Sequence, residues 1–347
     1  MTAFESYIDR NDRSRKLKLS VVIPCYRSEH MIAEVVGLIK QTVDTRADEF
    51  DYEIILVNDS SPDDTLGTIV RLSDEDPEHV VALDLARNFG QFPALMAGFS
   101  RVSGDVVVVM DDDMQCPPQE MFKLVDGVVN DGKDIVYARY PHREHAHWRN
   151  LGSKFNTWCV HRFARVPKDL QINNYYAVKR YVIDNALRYR NPYPYIDGLL
   201  MQSVRTYANV DIHHHAREEG TSGYNLKKLV SQWTDGVMQY SIVPLRFATG
   251  FGGLCAIVGF IAAIVLIIRT LISPDPVEGW ASLMVAILFF SGLIISVVGM
   301  VGEYVGRAYL SLNSMPQYIV RNSLDRRPES ARQQTDFYRP IDGRRHS

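Results

Sequence analysis

The sequence predicts an α/β domain with a mostly parallel sheet and flanking helices, followed by a membrane anchor. Two observations indicate this fold class. Through the first 130 residues, short apolar, β-branched runs alternate with helical patterns, as they do in repeated βαβ units. After residue 245, two long segments consist almost wholly of apolar residues.

Four short apolar runs predict the strands of the sheet. They are Leu19–Pro24, Tyr52–Asn58, Val80–Leu85 and Asp105–Met110. Three segments with helical spacing lie between them, at Met31–Gln41, Asp64–Ser73 and Gly90–Val102. Strands that alternate with helices in this way form a parallel sheet covered by helices on both faces.

Polar residues follow three of these strands. The segments are Tyr26–Glu29, Asn58–Asp64 and Asp111–Gln115. In open parallel sheets, ligands bind beyond the carboxyl ends of the strands. We therefore expect the three segments to converge on one crevice.

The C-terminal part of the α/β domain leads into the predicted membrane anchor. Lys227–Val243 has the spacing of an amphipathic helix. As helices, Phe247–Ile268 and Ala281–Val301 would each span roughly 33 Å, which is enough for the apolar core of a bilayer. The alternative is a pair of buried core helices.

Charge near the apolar segments predicts their orientation. The link Thr270–Gly279 contains no Lys or Arg. Several arginines follow the second segment, among them Arg307, Arg321, Arg326, Arg327 and Arg332. By the positive-inside rule, we expect a multi-pass protein of the cell (inner) membrane with the α/β domain and both termini in the cytoplasm.

These boundaries divide the chain into five predicted regions. They are a polar extension (1–18), the α/β domain (19–225), an amphipathic juxtamembrane helix (226–245), a two-helix anchor (246–302) and a basic cytoplasmic tail (303–347). The polar extension has no apolar core, so no signal peptide is expected.

Composition argues against several classes of protein. The formal net charge is −3, which offers no general attraction for nucleic acid. The four cysteines form no CxxC pair, which argues against a disulfide framework or a zinc site and fits a reducing compartment. They are Cys25, Cys116, Cys159 and Cys255.

The three consecutive aspartates Asp111, Asp112 and Asp113 are the sharpest chemical signal. Carboxylates at a strand end suit a hard divalent cation, and a nucleotide diphosphate needs such a cation to neutralise its charge. The alternative is a solvated acidic turn. Asp59 lies at another predicted strand end, where its carboxylate can accept a hydrogen bond from a base edge.

Several segments together resemble one family. Val21–Tyr26 (VVIPCY), Val57–Pro62 (VNDSSP) and Met110–Pro118 (MDDDMQCPP) resemble the inverting GT-A glycosyltransferases of family two. Ala86–Gln91 (ARNFGQ) is similar to the RNFGQ segment of the polyprenyl-phosphate branch. The similarity continues through Arg217–Tyr224 (REEGTSGY), Val243–Arg246 (VPLR) and Gly302–Arg307 (GEYVGR), and so covers residues 19 to 320.

The resemblance implies a GT-A, Rossmann-like domain that moves a sugar from a nucleotide-diphosphate sugar, expected to be a UDP-sugar, to polyprenyl phosphate, expected to be undecaprenyl phosphate. The implied nucleotide pocket consists of Pro24, Tyr26, Val57, Asp59, Asp111, Asp112, Gln115 and Arg139. The resemblance implies Mg²⁺ or Mn²⁺ on Asp113 and Asp111, and an acceptor phosphate near Arg149, Arg217 and Ser222. Asp113, Asp169 and Arg149 are the implied catalytic residues. The implied partners are the donor, the lipid acceptor and the bilayer, and a homo-oligomer is left open.

Three positions depart from the family pattern. Ser28 stands where relatives often have glutamate, and Glu29 is an alternative source of that carboxylate. Gly223 replaces a common lysine, which removes one cation from the phosphate region. The catalytic aspartate of relatives aligns without gaps to Leu170 or Asn173, whereas the nearest carboxylate is Asp169.

Two further motifs have more than one interpretation. His213–His215 suggests a metal site, but successive strand residues alternate faces, so a polar strand end near the lipid phosphate is the other reading. The segment Tyr189–Tyr195 is either an interfacial loop or a Pro-rich turn.

Two other functions remain as alternatives. A processive polysaccharide synthase would need a QxxRW motif, which the chain lacks, and a non-catalytic scaffold would not need the aspartate cluster.

Overall fold

A computed structural model of the chain describes residues 16–140, 169–191, 194–212, 279–312 and 316–328, with single positions between 250 and 272. The chain separates into two compact units, Met1–Asn225 with Pro316–Ser347, and Leu226–Met315. The predicted amphipathic helix Lys227–Val243 lies outside the described residues, as does most of the first apolar segment.

The first unit alternates strands and helices along the chain. Its strands are β1 (Leu17–Cys25), β2 (Phe50–Asn58), β3 (Val80–Leu85), β4 (Val106–Val109), β5 (Ile135–Arg139), β6 (Tyr176–Lys179), β7 (Tyr207–Asp211) and β8 (Val320–Leu324). Its helices are α1 (Ile32–Asp44), α2 (Thr65–Glu75), α3 (Gln91–Phe99), α4 (Met121–Val129), α5 (Arg180–Ala186) and α6 (Ile196–Ser203), with a short 3₁₀ turn at Pro118–Glu120.

The strands of the first unit form a single mixed sheet. Their order is β7-β5-β6-β4-β1-β2-β3-β8. Strands β4, β1, β2 and β3 are parallel, which confirms the predicted parallel arrangement of the four apolar runs. Strands β6 and β8 pair antiparallel on either side of them, so the sheet is mixed toward its edges.

The sheet is covered on both faces because its central strands are mostly apolar. Alternate residues of β1 point to opposite sides, so that Val21 and Ile23 pack with α1, α2 and α4, while Val22 packs with α3, α5 and α6. A Cβ at Gly98 would collide with Val22, so glycine allows α3 to approach the sheet closely. The result is a three-layer αβα domain.

Helix α3 ends at Phe99, earlier than the predicted Val102. The Ser100 hydroxyl donates to the carbonyl of Ala97 over 2.6 Å, and the N–H of Arg101 donates to Gly98 over 2.9 Å. These bonds close a tight turn in place of another helical turn.

The chain returns to the sheet near its C-terminus, where a basic tail was expected. Strand β8 lies antiparallel to β3, and Tyr318 is buried in the apolar layer that contains α3. Residues 316–328 are therefore part of the α/β domain. This strand was not predicted, because Val320–Leu324 (VRNSL) is short and mostly polar.

Arg327 fixes this returning segment through a buried ionic network. Its guanidinium lies 2.5 Å from the carboxylate of Glu53 on β2, and the Lys18 ammonium lies 2.9 Å from the same carboxylate. Arg327 also pairs with Asp325. Burial opposes ionisation of Glu53, but Arg327 and Lys18 outweigh it and lower the pKa of Glu53 to about 2.

The second unit contains α7 (Trp280–Leu312), a helix of 33 residues. Large apolar side chains are exposed along it, including Leu283, Ile287, Ile294, Ile295 and Val298. Within the described residues, no helix combines the length and the hydropathy that a membrane span requires.

Replacing Arg327 with alanine leaves Glu53 buried without its main counter-charge. We expect Arg327→Ala to lower the free energy of unfolding by about 3–5 kcal/mol, measured by urea unfolding. The matched control is Arg326→Ala, because Arg326 forms a half-exposed pair with Asp74 at 2.7 Å and contributes little.

The pH dependence provides a second measure of the same pair. Because the folded pKa of Glu53 is depressed, its contribution is complete above the ordinary value of 4.5 and is lost as the pH falls toward 2. Arg327→Ala is expected to reduce this acid-dependent loss of stability. Equal unfolding free energies for the two variants would contradict the assignment.

Candidate active site

The carboxyl ends of β1, β2 and β4 meet at one edge of the sheet, and the polar segments that follow them contact one another. The N–H of Tyr26, after β1, donates to Oδ2 of Asp112, after β4, over 3.1 Å. The N–H of Arg27 donates to Oγ of Ser61, after β2, over 2.8 Å. The predicted convergence of these three segments is confirmed.

Ser28 forms a hydrogen bond to the aspartate cluster. Its side chain is buried, its hydroxyl donates to Oδ2 of Asp112, and its N–H donates to the hydroxyl of Thr65 over 2.9 Å. Burial raises the pKa of Asp112, and the bond from Ser28 opposes this rise. Glu29 faces the neighbouring loop, where it accepts from the N–H of Asp64 over 2.7 Å. Ser28 therefore supplies a donor where relatives often place a carboxylate.

Asp111 is held by two amides that the sequence did not identify as site residues. Its carboxylate accepts from Nε2 of Gln91 over 2.7 Å and from Nδ2 of Asn174 over 3.1 Å. Burial raises the pKa of Asp111 to about 6, and the charges of Asp113 and Asp112 add to the rise. The position of Gln91 in the ARNFGQ segment was the available signal, whereas nothing in the sequence marked Asn174.

Asp113 lies in a turn that the chain fixes locally. The N–H of Gln115 donates to Oδ1 of Asp113 over 3.2 Å. Met114, between them, has a φ of 60°, in the left-handed region that non-glycine residues rarely adopt. The turn is held further because Tyr175 donates to the carbonyl of Pro117 over 3.0 Å.

Asp59 connects the end of β2 to the loop after β3. Its side chain is buried, and its two oxygens accept from the N–H groups of Phe89 and Gly90 over 2.7 and 2.8 Å. Gly90 has a φ of 94°, which favours glycine there. Burial raises the pKa of Asp59, and the two N–H donors oppose this rise. Asp59 thus positions the segment from Ala86 to Gln91, in addition to any contact with a nucleotide.

The remaining residues of the predicted nucleotide pocket differ in which of their groups could contact a nucleotide. Pro24 and Val57 are register partners on β1 and β2, and the Val57 side chain is buried, so only its backbone can face a ligand. Arg139 lies at the end of β5 and binds Asp211 through two bonds of 2.5 and 3.1 Å. That pair is exposed, and the diphosphate role of Arg139 stays a prediction.

Asp169, one of the implied catalytic residues, lies against strand β7. Its side chain is exposed and accepts from the hydroxyl of Tyr207 on β7 over 3.4 Å. Asn174, five residues further along, reaches Asp111. The predicted residues Arg149, Arg217 and Ser222 lie outside the described residues, as do Gly223 and His213–His215.

The aspartates do not form a complete cation cage. Among the residues that the structure describes, no three His, Cys, Asp or Glu side chains are arranged to hold a metal ion. All three carboxylates also accept hydrogen bonds within the protein. A cation bound with a nucleotide takes most of its ligands from phosphates and water, so one or two carboxylates are sufficient.

Comparison with known proteins agrees with this geometry. Residues 20–191 match the Glycosyl transferase family 2 model. The chain is 32% identical over 318 residues to the undecaprenyl-phosphate 4-deoxy-4-formamido-L-arabinose transferase of Enterobacter sp. (strain 638), covering 89% of this chain and 94% of that protein.

Solved structures are more distant. Glucosyl-3-phosphoglycerate synthase from Mycobacterium tuberculosis, solved with Mn²⁺, uridine diphosphate and phosphoglyceric acid, is 19% identical, with a TM-score of 0.46 over 63% of this chain and 75% of that one. A second mycobacterial protein is 20% identical, with a TM-score of 0.47 over 65% and 75%. By its family match and its full-length relative, the chain belongs to glycosyltransferase family 2 and is a glycosyltransferase.

Proposed function

We propose that the chain transfers a sugar from a UDP-sugar to undecaprenyl phosphate, with inversion at the anomeric carbon. The observation that carries the proposal is the joining of the loops after β1, β2 and β4 around Asp111, Asp112 and Asp113. The acceptor is proposed because the full-length relative is an undecaprenyl-phosphate sugar transferase.

A divalent cation, Mg²⁺ or Mn²⁺, fits the residues present. Asp111 and Asp113, the two ligands that the family resemblance implies, would hold it. Burial, together with the charges of Asp113 and Asp112, raises the pKa of Asp111 to about 6. A bound cation would relieve the repulsion among these carboxylates. When bound, the cation would neutralise the charge on the departing nucleotide diphosphate.

The reaction is proposed as a single in-line displacement. An oxygen of the acceptor phosphate forms a bond to the anomeric carbon as the bond from that carbon to the nucleotide diphosphate breaks, and the electron pair leaves with the diphosphate. A phosphate monoester has a second pKa near 6, so at neutral pH the acceptor is already mostly a dianion. Placement therefore matters more than proton removal.

Arginines are proposed to hold the acceptor phosphate at the mouth of the crevice. Arg149 and Arg217, with Ser222, are the candidates that the family pattern supplies. Arg139, which pairs with Asp211 at the surface, is proposed for the nucleotide diphosphate instead. A buried dianion requires fixed cations, and the planar fork of arginine suits phosphate oxygens.

The enzyme is proposed to act at the cytoplasmic face of the cell membrane. The apolar segments Phe247–Ile268 and Ala281–Val301, and the exposed apolar side chains along α7, support attachment to a bilayer. Retention of the full chain in carbonate-washed membranes is the expected result, and its quantitative release would oppose this proposal.

Purified full-length chain is expected to convert undecaprenyl phosphate to a sugar-linked lipid phosphate when a panel of UDP-sugars is supplied, with mass spectrometry as readout. Chelation should abolish transfer, and Mg²⁺ or Mn²⁺ should restore it. Asp113→Asn should lower kcat roughly a hundredfold or more, because it removes a charged ligand of the cation. The control Asp48→Asn changes an exposed aspartate ahead of β2, at the opposite edge of the sheet. Full activity of Asp113→Asn in excess chelator would oppose the metal assignment.

Loss of an arginine that holds the acceptor phosphate should raise the KM for the lipid acceptor and leave the KM for the UDP-sugar unchanged. Arg217→Ala is expected to raise the KM for undecaprenyl phosphate about ten- to hundredfold, the range for one charge-assisted contact. Arg217→Lys should recover only part of this, and Arg71→Ala on the exposed face of α2 should have no effect. A change confined to the KM for the UDP-sugar would assign Arg217 to the nucleotide pocket.

A further inference from the structure

The C-terminal strand is connected to the nucleotide side of the crevice by a series of hydrogen bonds that begins at Arg321. In the ladder between β3 and β8, Asp84 pairs with Asn322 and Leu85 pairs with Val320, so Arg321 is an extra residue on β8. Such a β-bulge redirects a side chain. The Arg321 Nε donates to Oδ2 of Asp84 over 2.8 Å.

Asp84 is also hydrogen-bonded to the neighbouring strand β2. Its carboxylate is buried, and its Oδ1 accepts from Nδ2 of Asn58, its register partner on β2, over 2.9 Å. The Oδ1 of Asn58 in turn accepts from the N–H of Ser61 over 3.1 Å. The Asn58 amide is therefore fixed in one orientation, with its donor toward Asp84 and its acceptor toward the loop.

The loop that Asn58 holds borders the proposed nucleotide pocket. Ser60 has a φ of 52°, a conformation that needs support from its surroundings. The Ser61 hydroxyl accepts from the N–H of Arg27, which directly follows Tyr26. The orientation of Asn58 thus bears on the loops after both β1 and β2.

Strand β8 reaches the same region by a second contact. The carbonyl of Ile319 accepts from the N–H of Ala86 over 2.9 Å. Ala86 begins the loop that donates to Asp59 through Phe89 and Gly90. The C-terminal strand therefore supports Asp59 and its loop from two sides.

We propose that Arg321 is a positioning residue for the nucleotide donor, acting through Asp84 and Asn58 on the loop from Asp59 to Ser61. This role rests on the proposed function, because it assumes that a nucleotide occupies the crevice. Arg321 itself is about half exposed, with 53% of its side chain accessible, and it touches no proposed ligand position. Its effect is expected on the binding of the donor and not on the displacement step.

This role can be separated from folding, because β8 has an independent attachment. Arg327 anchors the far end of the segment through the buried Glu53, and Tyr318 packs into the core. Removing the Arg321 side chain leaves both in place. Arg326 provides a matched control, since it lies on the same segment and its exposed pair with Asp74 has no connection to Asn58.

The test compares Arg321→Ala, Arg321→Lys, Asn58→Ala, the double variant Arg321→Ala/Asn58→Ala and the control Arg326→Ala in the full-length enzyme. For each, the KM for the UDP-sugar, the KM for undecaprenyl phosphate, kcat and the thermal midpoint are measured. Arg321→Ala should raise the donor KM roughly three- to tenfold, the size expected for one lost hydrogen bond, with the acceptor KM matching the control. The thermal midpoint should fall below that of the control, because buried Asp84 loses its cationic partner. That fall should leave the acceptor KM unchanged. Arg321→Lys should recover most of the loss. The double variant should be no worse than Asn58→Ala, because the two residues act in one series.

Other results would overturn the role. A donor KM for Arg321→Ala equal to that of Arg326→Ala, a parallel rise in both KM values, or fully additive effects in the double variant would each remove it. Those outcomes leave the proposed function intact, because the wild-type enzyme still transfers sugar. If the wild type transfers sugar from none of the nucleotide donors, the proposed function fails, and the role of Arg321 fails with it.

Discussion

Three consecutive carboxylates at the end of a buried strand are difficult to keep together, and the residues around them are arranged to meet that constraint. Asp112 receives a backbone N–H from Tyr26 and a hydroxyl from Ser28, while Asp111 receives two side-chain amides. These donors come from the loop after β1, the start of α3 and the segment before β6, so the sheet must be assembled before the cluster is complete. Even so, burial and repulsion keep the pKa of Asp111 high, at about 6. A bound cation would relieve the repulsion that remains among the three carboxylates.

The same principle, that a buried charge requires a partner, explains how the C-terminal segment is held. Glu53 and Asp84 are both buried on the β2 and β3 strands, and residues after 316 bring Arg327 to the first and Arg321 to the second. The sheet therefore depends on residues that lie more than two hundred positions away in sequence. This dependence joins the end of the chain to the loops of the candidate active site.

The four central strands of the sheet could be predicted from the sequence, whereas the edge strand β8 could not. The four central strands were predictable because each is a continuous apolar run, and the convergence of their polar ends follows from parallel topology. Strand β8 was not predictable, since VRNSL has no hydrophobic periodicity and its partner is distant. Because this strand was not predicted, three arginines in and after it were assigned to a basic cytoplasmic tail. In the structure each of them is paired with a carboxylate: Arg321, Arg326 and Arg327. In the site, Asp111 to Asp113 were identified from their spacing, but the amide of Asn174 and the pairing of Arg139 with Asp211 depend on tertiary contacts.

The central claim is that this aspartate cluster binds a nucleotide diphosphate together with a divalent cation. Its most direct test is calorimetric titration of UDP into the purified chain, with Mn²⁺ present and again in excess chelator. The account predicts binding that requires the cation and that is lost when Asp111 and Asp113 are both replaced by asparagine, with the fold retained. Equal UDP affinity in chelator, or unchanged cation dependence in the double variant, would contradict it.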